Sequence, residues 1–381
     1  MRLLPALNLV NSTQVDASVL TFASSNVSIK SILPSALLEY FYSTQIAILM
    51  FVACVSLYGT YLYRVIALRY QIVAKINSRS LHSRLVPRGG GIAFACVFAV
   101  SVIVIWAFGG LPTWLMLCLG LGGAAAALIG FVDDVRDVRA TWKLLAQLCL
   151  AVWVLAIFFA LLKAPAISDY TGTLLFPLTL TSLFVSVWFI NLYNFMDGID
   201  GMAISGAVFI CIAAIVVLAI SGGDAYFIFV FALLAASCLG FLFFNLPPAS
   251  IFMGDAGSIF LGYSLGTLLL STVVLEQISL WTWIAILGYF IGDTTTTGLF
   301  RLFRVKKWYG VHRSHAYQNL ARIYNSHAKV TYGVTLYHML WALPLAIWSA
   351  LVPAMAVLPA MLSLAPAVAW TFRFGPRLSS D

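Results

Sequence analysis

The sequence is poor in charge: Asp, Glu, Lys and Arg together make up 9% of its 381 residues, against 62% hydrophobic residues. A soluble globular domain carries roughly a quarter charged residues, so a water-exposed fold is excluded. Pairable cysteine is also lacking. Cys54, Cys96, Cys118, Cys149, Cys211 and Cys238 fall singly within apolar stretches, without metal-ligand spacing. This leaves them as small core residues, neither disulfides nor ligands. There is no soluble basic domain to carry nucleic acid. No convincing internal repeat of the kind that builds many ion-coupled transporters is found either, although a transporter remains the competing reading from another class.

What the chain does have is long apolar runs. About 20 apolar residues cross the hydrocarbon core of a bilayer, and such runs lie at 46–66, 91–111, 113–132, 142–162, 174–190, 202–220, 225–244, 257–275, 280–300, 331–351 and 353–370. The expected fold is therefore an all-α polytopic integral membrane protein with about eleven transmembrane helices. Lys and Arg collect on the cytoplasmic side of membrane proteins. Threading eleven spans puts every Lys and Arg inside except Arg2, Lys30 and Lys163, with the N-terminus outside and the C-terminus cytoplasmic. Three regions follow: an extracytoplasmic extension at 1–43, rich in Ser, Asn and Thr, a transmembrane domain at 44–372, and a short cytoplasmic tail at 373–381. The net charge of +8 then describes a basic inner surface suited to anionic lipids and phosphorylated substrates.

The same threading gathers three acidic clusters on the cytoplasmic face: GFVDDVRD at 130–137, NFMDGIDG at 194–201 and FMGDAGS at 252–258. A carboxylate beside a bilayer is costly to desolvate and persists where it meets a cation, a proton or an ionic substrate. In the first cluster Asp133 and Asp137 are spaced to share a helical face, and adjacent Asp133 and Asp134 can divide two duties. An acidic cap neutralised by Arg136 and Arg139 is the competing reading. In the second, Asp197 and Asp200 are flanked by glycines that leave backbone amides open to a ligand. A plain turn explains the glycines but not paired acids without a compensating base. In the third, Asp255 taken in isolation reads as an N-cap for the following helix.

A basic cluster follows at 301–329. Arg301, Arg304, Lys306 and Lys307 suit lipid headgroups, whereas His312, Arg313 and His315 carry donors for phosphate oxygens. His82, Arg84 and Arg88 precede Gly89-Gly90-Gly91 as a second basic, glycine-rich loop, and His327 and His338 read as structural. Asp293 with Thr294–Thr297 reads as part of the same lining.

Taken in order, PRGGG at 87–91, the DDxxD at 133–137, NxxNxxDGIDG at 191–201, FMGDxGS at 252–258 and HRSH at 312–315 resemble the polyprenyl-phosphate N-acetylhexosamine-1-phosphate transferase superfamily, glycosyltransferase family 4. The resemblance runs from about Arg79 to Arg322. It implies a multi-pass enzyme of the bacterial inner membrane with its active site facing the cytoplasm. The implied reaction is a Mg²⁺-dependent transfer, with Mn²⁺ as substitute, of sugar 1-phosphate from a UDP-N-acetylsugar to undecaprenyl phosphate, releasing UMP. A cation screening two anionic reactants fits that chemistry.

By resemblance, Asp133, Asp134 and Asp255 are catalytic. Asp255 leads the metal ligands with Asp134 and Asp197, and Asp133 lies next to the lipid phosphate. Asp137, Asn191, Asn194, Asp197, Asp200, Asn245, Phe252, His312, Arg313 and His315 bind substrate, with Phe252 stacked on uracil. Direct attack and a covalent Asp intermediate both stay open, and a homodimer is compatible. Asp137 stands where the peptidoglycan-precursor phospho-MurNAc-pentapeptide transferases have Lys, and HRSH replaces their three histidines. Both differences point to the branch that initiates O-antigen or exopolysaccharide synthesis, with FucNAc, QuiNAc or GlcNAc as the sugar. Leu85-Val86 departs from the more usual Pro-Thr before Pro87.

Overall fold

The computed structural model describes residues 35–73, 86–161, 172–304 and 314–376. The chain divides into two compact units, Met1–Ile48 and Leu49–Asp381, and every contact below lies within the second. The described residues are helical, with an isolated antiparallel bridge between Val73 and Pro87 and no strand.

The helices, in chain order, are α1 (Ser35–Arg69), α2 (Gly91–Ala107), α3 (Thr113–Arg136), α4 (Ala140–Leu161), α5 (Gly172–Met196), α6 (Met202–Ser221) and α7 (Ala225–Asn245). There follow α8 (Gly254–Val274), α9 (Leu280–Ile286), α10 (Gly288–Arg304), α11 (Ala316–Ile323), α12 (His327–Leu351) and α13 (Val357–Phe374). Nine of these are long and apolar enough to cross a membrane. The two other expected crossings take different forms. The run at 91–111 makes the 17-residue helix α2, and the run at 280–300 is split at Leu287 into α9 and α10. Hydropathy is continuous through that break, so periodicity gave no sign of it.

Helix α8 is the most enclosed of the nine spans and α1 the least. Around α8 pack α3, α5 and α2. Apolar attraction between helices vanishes in lipid, so close packing rests on small residues and interhelical hydrogen bonds. Both devices are present: a Cβ on Gly91 of α2 would collide with the backbone of Gly257 on α8. Phe94 and Phe98 of α2 meet Phe260 of α8 edge-on at centroid distances of 5.7 Å, a favoured aromatic geometry.

Helix α3 widens into π-helical turns over Met116–Gly122. Its carbonyls there find donors on neighbouring helices. Tyr263 Oη of α8 donates to the Cys118 carbonyl at 2.8 Å and Trp153 Nε1 of α4 to Leu117 at 3.1 Å, as backbone groups without water must. Met50, Phe51, Phe108, Phe184, Phe243 and Leu340 are exposed, large apolar side chains that suit hydrocarbon and not water.

Candidate active site

The acidic clusters, far apart in sequence, meet where α3 ends and α8 begins. Gly254 opens α8 with φ +71, a left-handed conformation that only glycine adopts freely, and a Cβ there would run into the Asp134 carboxylate. Gly130 of α3 passes so close that a Cβ on it would overlap the Asp255 carbonyl. Asp134 is thereby brought under the first turn of α8. Its Oδ1 accepts the Asp255 N–H and its Oδ2 the Ala256 N–H, each at 3.0 Å. The expected self-capping by Asp255 is thus replaced: α8 starts three residues earlier than hydropathy suggested, Asp255 lies in its first turn, and Asp134 supplies the cap from another helix.

Two cations sit within this acid cluster. Arg88 Nε pairs with Asp134 Oδ1 at 2.8 Å, and its Nη2 lies 3.4 Å from Asp255 Oδ1. Lys143, one turn into α4, pairs with Asp133 Oδ2 and lies 3.2 Å from Asp255 Oδ2. Asp133 also accepts the Val138 N–H at 2.8 Å. Burial alone would lower the Arg88 pKa, but Asp134, Asp255, Asp133 and Asp137 together hold it above its ordinary value.

The PRGGG segment is held as a fixed strap. Phe252 N–H donates to Pro87 at 2.8 Å, Gly90 N–H to Phe252 at 3.0 Å, Gly91 N–H to Met253 at 2.9 Å, and Tyr63 Oη to the Arg88 carbonyl at 2.8 Å. The sequence marked Arg88 only as part of a loose basic loop and gave Lys143 no part in the site. A lysine one turn inside an apolar span, next in sequence to an acidic cluster, is the signal that was available.

The other expected residues divide. Asp197 lies beside the cluster, and its pKa is pushed well above the carboxylate range by burial first, then by Asp255 and Asp134. Asn194 accepts from Ser258 Oγ at 3.1 Å, joining α5 to α8. Asn191 donates to Gln147 Oε1 at 2.7 Å, joining α5 to α4. Both lie on α5, which continues to Met196 rather than ending at 190.

Asp200 and Asn245 are buried ties. Asp200 Oδ2 accepts the Ala249 N–H at 3.0 Å and its Oδ1 lies 3.1 Å from His327 Nδ1, while Asn245 bridges Gly201 N–H and the Ile251 carbonyl. Asp137 does not share a helical face with Asp133. The helix stops at Arg136, and Asp137 caps it in a left-handed conformation, exposed. Phe252 is half-buried beside the strap. His315 is buried between the rings of Phe195 and Tyr317 at 5.6 and 5.8 Å. His312 and Arg313 lie outside the described residues.

For a metal, the donor set is all carboxylate oxygen, the chemistry of Mg²⁺ and not of a thiolate- or imidazole-bound ion. Among the described residues no three His, Cys, Asp or Glu side chains already form a metal cage. Asp134 is engaged by amides and Arg88. Asp255 and Asp133 contact each other and both meet Lys143, Asp255 also meets Arg88, and Asp133 accepts one amide. Asp255 and Asp134 add their charge to the burial that raises Asp197, and a divalent ion would offset that electrostatic part. The residues therefore fit such an ion at Asp255.

Comparison with known proteins identifies the family. The family described as glycosyl transferase family 4 matches residues 116–273. A probable undecaprenyl-phosphate N-acetylglucosaminyl 1-phosphate transferase of Bacillus subtilis is 32% identical over 69% of this chain and 73% of its own length. A decaprenyl-phosphate N-acetylglucosaminephosphotransferase of Mycolicibacterium smegmatis is 31% identical over 56% of each chain. A phospho-N-acetylmuramoyl-pentapeptide-transferase of Chlamydia trachomatis is 34% identical over 48% of this chain and 59% of its own. The chain spans little more than half of these last two. A multi-pass membrane protein with this sequence likeness and these motifs belongs to glycosyl transferase family 4, the polyprenyl-phosphate N-acetylhexosamine-1-phosphate transferase superfamily.

Proposed function

We propose that the chain transfers an N-acetylhexosamine 1-phosphate from a UDP-sugar to undecaprenyl phosphate at the cytoplasmic face of a bacterial inner membrane. The products are UMP and a lipid-linked diphosphate sugar, the first intermediate of O-antigen or a related surface polysaccharide. The observation that carries this reading is the convergence of Asp133, Asp134 and Asp255 with Arg88 and Lys143 at the ends of apolar helices. Such a site touches both a lipid tail and a water-soluble nucleotide.

An oxygen of the lipid phosphate bonds to the sugar-bearing phosphorus while the bridging bond to UMP breaks. Asp133 takes the acceptor's proton or aims its attack, and Lys143 pairs with Asp133 and fixes its place beside the reacting oxygen. Arg88 and Lys143 lie against Asp255 and are placed to pair with phosphate oxygens. Asp134 keeps Asp255 at the mouth of α8. Mg²⁺, or Mn²⁺, when held by Asp255 with Asp197 and Asp133 nearby, supplies charge neutralisation for the two phosphates. Asn194, Asp200 and Asn245 shape the donor pocket wall, and Phe252 offers its ring to uracil.

Incubating membranes with undecaprenyl phosphate and a panel of UDP-N-acetylsugars, UDP-MurNAc-pentapeptide included, tests the reading through UMP release. One productive N-acetylhexosamine donor is expected. Turnover of the pentapeptide alone would assign the peptidoglycan branch.

A further inference from the structure

We infer that Asp293 is a positioning residue that sets the donor side of the site by anchoring the first turn of α11. Asp293 is fully buried on α10. Five groups nevertheless converge on its carboxylate. Its Oδ1 accepts the Ala316 N–H at 3.0 Å and the hydroxyls of Thr297 and Thr371, each at 3.3 Å; its Oδ2 lies 3.5 Å from Tyr317 N. His315 Nδ1 stands 3.7 Å from Oδ1.

Ala316 and Tyr317 open α11, and the first amides of a helix have no intrahelical partner. A carboxylate aimed at them satisfies those donors and favours the positive helix end. Unlike a local cap, this one comes from another helix, so it fixes where the chain leaving HRSH enters the fold.

The anchor reaches the acidic side as well. Tyr317 Oη donates to the Phe195 carbonyl at 2.5 Å, two residues before Asp197. A Cβ on Gly198 would collide with the Tyr317 hydroxyl. The His315 ring fills the space between Phe195 and Tyr317. Asp293 thus holds one end of a chain of contacts whose other end is the loop bearing Asp197. The consequence for donor affinity rests on the reading that the HRSH segment and Asp197 face the UDP-sugar.

The test uses the full chain in lipid nanodiscs with Asp293→Asn and Thr371→Val, the second removing a single donor should the first fail to accumulate. Hydrogen exchange at Ala316 and Tyr317 is expected to speed up about tenfold or more in Asp293→Asn, with the amides of Asp255 and Ala256 unchanged. The KM for the UDP-sugar is expected to rise about tenfold while that for undecaprenyl phosphate moves less than about twofold, and Thr371→Val should follow in the same direction with a smaller change.

Unchanged exchange at Ala316 and Tyr317 would overturn the inference. So would equal shifts in both KM values, or lowered thermal stability with both KM values intact. Failure of the functional reading is seen separately, as absence of UMP release by the unsubstituted protein, and the exchange result still decides the anchoring.

Discussion

Asp134 accepts the backbone N–H of Asp255 at 3.0 Å across 121 residues of sequence. That one bond joins the end of α3 to the start of α8 and sets the direction of the Asp255 carboxylate. An Asn at 134 keeps one acceptor but turns an NH₂ toward a second amide or Arg88. Leaving such a buried donor unpaired costs about 1–3 kcal/mol. Asp134→Asn is expected to lower the unfolding temperature in detergent and to reduce transfer by about a hundredfold at saturating substrates, since misplacement of about 1 Å has that effect. Full activity with lowered stability would confine Asp134 to a structural part.

Lys143 shares its ammonium between Asp133 and Asp255. Lys143→Met keeps much of the stem and removes the charge. Transfer should fall by about a hundredfold, with partial recovery in Lys143→Arg, because a cation aimed at developing phosphate charge contributes on that scale. Steady-state UMP release in both variants checks this; equal activity in Met and Arg variants would exclude a charge role.

Asp197 is held above the ordinary carboxylate range by burial and by Asp255 and Asp134. Its ionised form therefore destabilises the unliganded fold at neutral pH. Asp197→Asn is expected to raise the unfolding temperature at pH 7 in the absence of divalent ions while lowering transfer. A melting curve and a UMP assay on the same preparation decide it; a variant both less stable and fully active would contradict the assignment.

Asp200 ties Ala249 and His327, and Thr331 Oγ1 donates to its carbonyl at 2.7 Å. For Asp200→Asn the expected loss is of stability, about 1–3 kcal/mol as for other broken buried hydrogen bonds. The KM for the UDP-sugar should move less than that of Asp293→Asn. Denaturation in parallel with kinetics separates the two effects.

Much of this site was legible because charge is rare in the chain. Asp133, Asp134 and Asp255 stood out against apolar runs, and the structure brings them within contact of one another or of a shared Lys143. What could not be read was geometry set by distant partners. The cap on α8 comes from Asp134, so a local rule assigned it to Asp255. Asp137 looked helical by spacing, but its left-handed conformation ends α3 one residue earlier. The apolar run ends at 190, yet packing against Gln147 and Ser258 keeps Asn191 and Asn194 helical beyond it. The amides that Asp293 meets were likewise hidden, because an acid within an apolar run gives no hint of its partners.

The central claim is that Asp255 stands where a divalent ion lets one anion attack another. The most direct measurement is UMP release by purified protein supplied with undecaprenyl phosphate and a UDP-N-acetylsugar, with and without chelator, alongside Asp255→Asn. Release is predicted to require the lipid phosphate, to stop in chelator and return with Mg²⁺, and to fall by about a thousandfold in the variant while it remains folded. Release at the unsubstituted rate by folded Asp255→Asn, or in excess chelator, would contradict the account.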